Sequence, residues 1–190
     1  MEQPVTAVYD ANILYPAPLR DLFIRLAQAG LVRARWTETI HDEWIRNVLK
    51  DNPHLSAERL TRTRTLMNEA VRDCLVTGYE DLIASLSLPD PDDRHVLAAA
   101  IRASADVIVT YNLTDFPAET LAHFDIKAQH PDDFLVGLLD LGPGVVCAAV
   151  KRQRESLRNP PKTAQELLAT LESQGLTQAV ARLRPFADLI

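Results

Sequence analysis

The chain has only two cysteines, Cys74 and Cys147, far apart and without Cys-x-x-Cys spacing. A disulfide framework and a thiolate zinc site are therefore excluded as organising features, which fits a reducing compartment. No apolar run approaches the ~18 residues of a membrane-spanning helix. Met1 and Glu2 lack the basic start of a secretory leader, so a cytoplasmic protein with no membrane contact is expected. Basic residues are not in excess either: 20 Lys/Arg stand against 26 Asp/Glu, a net charge of −6. Bulk electrostatics thus do not advertise a nucleic-acid surface. No internal repeat, low-complexity tract or His-x-x-x-His pair is present.

What is there is an ordinary globular composition. The 190 residues are 47% hydrophobic and 24% charged, enough for one substantial core. The charge is uneven: residues 1–135 carry 13 Lys/Arg against 21 Asp/Glu, and residues 136–190 carry 7 against 5. Leu141-Gly142-Pro143-Gly144 is a breaker cluster that reads as a turn or linker. These observations divide the chain into a main domain at 1–140 and a helical extension at 141–190.

Within the main domain, Val5 to Tyr9 reads as a buried strand ending at Asp10. Pro16 to Ala29 follows with Leu19, Leu22, Phe23 and Leu26 at helical spacing and Gly30 as its stop. Leu31 to Trp36 is a short strand. From Thr37, the spacing of Ile40, Trp44 and Val48 predicts an amphipathic helix capped by Thr37 or Thr39. Further helices are expected over Ser56 to Val71, around Tyr79 to Leu86, and from Asp92 or Asp93 through Ile101. Asp106 to Val109 and Asp125 to Gln129 complete the strand set. Apolar strands separated by helices predict an α/β fold, a parallel sheet with helices on both faces, followed by the C-terminal helical extension.

Sites in such sheets lie beyond the carboxyl ends of the strands. Two strands end in polar residues there: one in Asp10-Ala11-Asn12, the other in Thr110-Tyr111-Asn112-Leu113-Thr114-Asp115. A third acidic element, Asp90-Pro91-Asp92-Asp93-Arg94-His95, opens the Ala-rich helix. A fourth, Glu43, lies beside the apolar stripe of its own helix rather than opposite it. Taken singly, each has a plainer account. Asp10 and Asn12 can cap a turn, one of Asp90, Asp92 and Asp93 can cap a helix, and Glu43 can pair with Arg46. The five histidines show no ligand spacing and read as surface or internally satisfied groups. Asp132-Asp133 reads as a helix start. Arg59, Arg62 and Arg64, with Lys151, Arg152, Arg154 and Arg158, can follow a nucleic-acid backbone, but a solvated helix face explains them more simply.

The four acidic elements in this order resemble the PIN-domain ribonucleases, especially VapC-type toxins of bacterial toxin–antitoxin pairs. The resemblance extends over most of residues 4–135 and is nearest to the subgroup whose third motif reads like Asp92-Asp93-Arg94-His95-Val96-Leu97-Ala98. Carried over by position, it places the catalytic acids on Asp10, Glu43, Asp93 and Asp115, with Asn12, Thr110 and Asn112 supporting them. Asp93 is preferred over Asp92 because Val96 and Leu97 then follow at the family's spacing. Tyr111 departs from the pattern, since many relatives carry Arg or Gly there. The tail from 145 looks like the helical extension of some longer toxins of this type.

An all-oxygen set without Cys or paired His suits a hard cation, Mg²⁺ or Mn²⁺. Asp10 and Asp93 are expected as main ligands, with Asp115 bound directly or through water. Glu43 would orient or deprotonate the attacking water or hold a second ion. The resemblance implies an RNA substrate, a small cognate antitoxin, and assembly as a homodimer or a toxin–antitoxin hetero-oligomer. The alternatives are a PIN-type nuclease of RNA processing or structured DNA, and a non-catalytic module with a decayed site. The presence of all four acids counts against the last.

Overall fold

Val5–Tyr9 and Val107–Val109 are short runs without a charged residue, suited to the middle of a sheet, whereas Val32–Arg35 alternates Val and Ala with Arg and Lys127–Gln129 is Lys-Ala-Gln, as edge strands can be. In the computed structural model, which describes residues 4–190, they become a four-stranded parallel sheet. Met1 and Glu2, read above for the absence of a leader, lie outside the described residues. The elements in chain order begin with β1 (Val5–Tyr9), α1 (Ala11–Leu14), α2 (Ala17–Gln28), β2 (Val32–Arg35), α3 (Glu38–Asp51) and α4 (Ala57–Ala70). They continue with α5 (Glu80–Ile83), α6 (Arg94–Arg102), β3 (Val107–Val109), α7 (Ala118–Ala122) and β4 (Lys127–Gln129). The chain finishes with α8 (Pro131–Leu141), α9 (Pro143–Ser156), α10 (Ala164–Ser173) and α11 (Thr177–Leu183).

The strands lie in the order β2-β1-β3-β4. The chain leaves β1 toward one side to make β2 and enters β3 on the other, so β1 and β3 flank a topological switch point. Their register sets Tyr9 level with Val109, and β4 continues it with Val109 level with Gln129. Residues 10, 110 and 130 therefore emerge together at the carboxyl edge of the sheet.

Helix α6 packs against both β1 and β3. Its run Val96 to Ala100 is wholly buried, and the three alanines let its axis come close to the strands. Helix α3 starts at Thr37, whose hydroxyl accepts from Ile40 N–H at 3.0 Å, and buries Ile40, His41, Trp44 and Val48. His41 is an internally satisfied histidine. Its Nδ1 accepts from Trp44 Nε1 at 2.9 Å, and its Nε2 lies 2.9 Å from Asn68 Oδ1. That same oxygen accepts from Trp36 Nε1 at 2.8 Å. An indole N–H can only donate, so His41 is neutral with its proton on Nε2, and burial pushes its pKa down.

The C-terminal helices share this core. Leu167, Leu168, Leu171, Val180 and Leu183 are buried, α9 and α10 lie against α2, and α11 lies against α8. The Gly142 breaker is a one-residue corner between α8 and α9. A Cβ there would stand 3.2 Å from Leu31 Cδ2, tighter than packing allows without adjustment. Thr163 and Glu166 form a reciprocal capping box that starts α10. Asp132 does more than start α8: its buried carboxylate accepts from Gln178 and Ala179 N–H, both at 2.9 Å, and so caps α11 from another helix. Among the described residues no helix is long and apolar enough to cross a membrane.

Candidate active site

The switch point between β1 and β3 is stitched first by backbone, as Asp10 N–H donates to Val109 O at 3.1 Å. Beyond that bond the side chains form a clamp. Asp10 Oδ1 accepts from Ala11 N–H at 2.6 Å, so Asp10 does cap the short α1. Its Oδ2 accepts from the Thr110 hydroxyl at 2.7 Å and from Asn12 Nδ2 at 2.9 Å. Thr110 Oγ1 in turn accepts from Asn12 Nδ2 and from Asn112 N–H, each at 3.0 Å. Asn12 Oδ1 accepts from Tyr111 N–H at 3.2 Å. The Thr110 hydroxyl thus uses its single proton and both lone pairs, and the Asp10 carboxylate has one orientation. Burial pushes the Asp10 pKa up and Glu43 adds to this, against the opposing bonds from Thr110 and Ala11.

Asp93 reaches the same place from α6. The cap of the preceding 3-10 turn (Pro91–Asp93) is Asp90, whose carboxylate accepts from Asp92 N–H at 2.9 Å. Asp92 is exposed, Asp93 is half-buried, and the Asp93 side chain makes no capping bond of its own. Its pKa is pushed up to about 7, first by burial and then by the negative charges of Asp10, Asp90, Asp115 and Glu43. Glu43 enters from α3. Its neighbour is not Arg46 but His95, whose Nε2 lies 3.4 Å from Glu43 Oε2. His95 Nδ1 is buried without a hydrogen-bond partner among the described residues.

A cleft of about 320 Å³ lies among these groups, lined by Asp10, Asn12, Glu43, Asp93 and Asn112 together with Tyr15, Asn47 and Asp51. Asp115 does not line it. It sits half-buried in a 3-10 turn (Leu113–Asp115), near enough for its charge to be felt at Asp93. Asn47 and Asp51 went unread in the sequence, although they follow Glu43 at i+4 and i+8 and so share its helix face. The Tyr15 hydroxyl donates to Asp51 Oδ2 at 2.7 Å. Of the basic residues considered above, Arg64 is bound to Glu38 and Asp42.

Among the described residues no three His, Cys, Asp or Glu side chains are grouped so that they could hold a metal ion together. The carboxylates instead face one another across open space. The side chains lining the cleft offer oxygen donors, the kind that hard cations take.

Three comparisons bear on this geometry. Residues 6–114 match the family model described as PIN domain, which ends one residue before Asp115. Residues 131–185 match the model described as VapC50 C-terminal domain. Over 107 residues the chain is 45% identical to a protein of Mycobacterium tuberculosis (strain ATCC 25618 / H37Rv) named "Putative ribonuclease VapC50". That match covers 56% of this chain and 62% of the other, so the chain spans under two thirds of its relative. No solved structure matches the chain.

Proposed function

The chain belongs to the PIN-domain family, and from that premise we propose that it is a metal-dependent endoribonuclease acting in the cytoplasm as the toxin of a toxin–antitoxin pair. The observation that carries this reading is the meeting of Asp10, Glu43 and Asp93, from three separate elements, on one cleft at the switch point of the sheet. A phosphodiester is an anion, and a cleft walled by carboxylates repels it unless a cation stands between them. The donors are all oxygen, which suits Mg²⁺ or Mn²⁺ rather than zinc. Residues 1–140 are the nuclease domain and carry every residue of this site; residues 141–190 are its helical extension.

Asp10 Oδ2 already accepts two hydrogen bonds, whereas Oδ1 accepts one and keeps a lone pair free. Oδ1 and the uncapped Asp93 carboxylate are the groups that would hold the ion, with Asp115 joining directly or through water. Bound there, Mg²⁺ or Mn²⁺ supplies a water of lowered pKa and neutralises charge on the phosphate. Glu43 is placed to orient an attacking water and would accept its proton as the water oxygen bonds to phosphorus and the bond to the 3′ oxygen breaks, that oxygen taking up a proton from solvent. Asn12, Thr110 and Asn112 hold the Asp10 carboxylate in one rotamer throughout. A small antitoxin fits the same cleft if it presents an Arg, which would compete with the cation for these carboxylates.

The test is RNA cleavage by the purified chain. Excess chelator should abolish it, and Mg²⁺ or Mn²⁺ should restore it. Cleavage that persists in chelator, or that returns with Zn²⁺ alone, overturns the metal assignment. Expression without the antitoxin should arrest growth, and co-expression should relieve it. A harmless chain that retains no small partner overturns the toxin half of the reading.

A further inference from the structure

Tyr111 sits in the middle of the loop that holds Asp10, yet its side chain leaves the cleft. The phenol reaches 63 residues along the chain and donates to the Gln174 carbonyl at 2.5 Å. Gln174 and Gly175 form the turn between α10 and α11. Gly175 has φ +86°, and a Cβ there would stand 3.6 Å from the Tyr111 ring and 3.9 Å from His130. The positive φ favours glycine at this position, while both contacts are ordinary van der Waals distances. The ring packs edge-on against His130, with centroids 5.1 Å apart. The turn is itself anchored, because Asp132 accepts the N–H groups of Gln178 and Ala179 at the start of α11. Burial, with the Asp132 charge added, raises the Tyr111 pKa to about 12, so the hydroxyl keeps its proton.

We propose that Tyr111 is a positioning residue through which the C-terminal helices hold the Asp10 clamp in place. The loop from Thr110 to Asn112 is tied on its inner side to Asn12 and Asp10, and on its outer side to Gln174. Apart from the Ala11 bond, every hydrogen bond that orients the Asp10 carboxylate involves this loop or Asn12, to which the loop is bonded. Removing the outer tie leaves Thr110 N–H still donating to Gln129 O at 3.0 Å but takes away the hydrogen bond that holds the middle of the loop to the C-terminal helices. The kinetic part of this inference rests on the ribonuclease reading, whereas the coupling between turn and loop does not.

The experiment compares full-length wild type with Tyr111→Phe, Gly175→Ala and Gly30→Ala. Gly30 has φ +78° with nothing within 4 Å of a built Cβ, so it supplies matched backbone strain away from the site. Hydrogen exchange is read first, without metal or RNA. The Tyr111 and Asn112 amides should exchange about tenfold faster in Tyr111→Phe and Gly175→Ala, and at the wild-type rate in Gly30→Ala. The double variant Tyr111→Phe with Gly175→Ala should be no faster than the faster single one, since one removes the tie and the other strains the turn that presents its acceptor. With Mg²⁺ and RNA, kcat should fall about tenfold in Tyr111→Phe and Gly175→Ala at unchanged KM. Wild-type protection of these two amides alongside a lowered melting temperature would make Tyr111 a brace for the fold only, and the proposal fails. If exchange quickens as expected but wild type cleaves no RNA, the ribonuclease reading falls and the coupling stands.

Discussion

Asp93→Asn removes one charge from a crowded cleft while keeping the side chain's shape, and its effect on the metal-free protein follows from the site's electrostatics. The Asp93 carboxyl is lifted from an ordinary 3.8 to about 7, first by burial and then by four neighbouring carboxylates. At about 1.4 kcal/mol per pH step, holding it ionised in the folded chain costs at most about 4 kcal/mol. Partial exposure to solvent screens this to about 2 kcal/mol. The raised value fixes the sign. Between about pH 4 and 7 the native state keeps a proton that the unfolded chain has released, so stability falls as pH rises through that window and is level above it. Asn lacks this slope. At pH 8 the variant should melt about 6 °C above wild type, and at pH 4.5 the gap should shrink to a fraction of that. No cap is lost, because the Asp93 side chain makes no capping bond. Added Mg²⁺ at 100 times its Kd should stabilise wild type by about 2.7 kcal/mol and close or reverse the gap at pH 8, while the variant loses at least ~100-fold in cleavage. Thermal melts of both proteins at two pH values, with and without Mg²⁺, measure all of this. A gap independent of pH, or a variant that melts lower at pH 8, refutes the account of mutual repulsion.

Three further outcomes are expected. Asp132→Asn weakens the cap on two amides of α11 and should cost about 1–2 kcal/mol, read as a lower urea midpoint at unchanged m. Because His41 is held neutral and its pKa is lowered, it contributes stability that is full above about pH 6.5 and fades as pH falls; His41→Gln should flatten that part of the stability–pH curve, and an unchanged curve would be inconsistent with the hydrogen-bonded pair to Trp44 and Asn68. A chain ending at Leu141 keeps Asp10, Glu43, Asp93 and Asp115 but uncovers the α2 face under α9 and α10, so it should aggregate at concentrations where the full chain is monodisperse; light scattering decides this.

Much of the fold was legible because its signals are local. The run Val5 to Tyr9 is apolar on both sides, as a central parallel strand must be, and Val96 to Ala100 is small and apolar over a full helical turn. The candidate acids could be singled out for similar reasons: Asp10 and Asn12 lie two residues apart at a strand end, and Glu43 sits against Ile40 and Trp44. What could not be read depends on groups far apart in sequence. His95 faces Glu43 only because α6 and α3 approach the same strand ends. Asp132 looked like an ordinary first-turn acid, and nothing near it in sequence announces a helix start 45 residues later. Asp90 turned out to be the capping residue of its cluster, a choice made by the 3-10 geometry rather than by composition. Asn47 and Asp51, by contrast, were available from helical spacing alone.

The alanines of α6 have a consequence for ion choice. Asp93 is carried at the front of a helix that packs on β1 and β3 and whose buried run includes the small residues Ala98, Ala99 and Ala100, whereas Asp10 is fixed to the sheet itself. The gap between the two carboxylates therefore depends on a helix-to-sheet separation fixed one turn or more behind the cleft. Mg²⁺ needs oxygens at about 2.0–2.1 Å and Ca²⁺ at 2.3–2.6 Å, a difference smaller than one methylene. If Asp10 and Asp93 hold a cation as proposed, these side chains would act as its gauge without meeting it: enlarging one of them should change which ion fits best while leaving both carboxylates untouched.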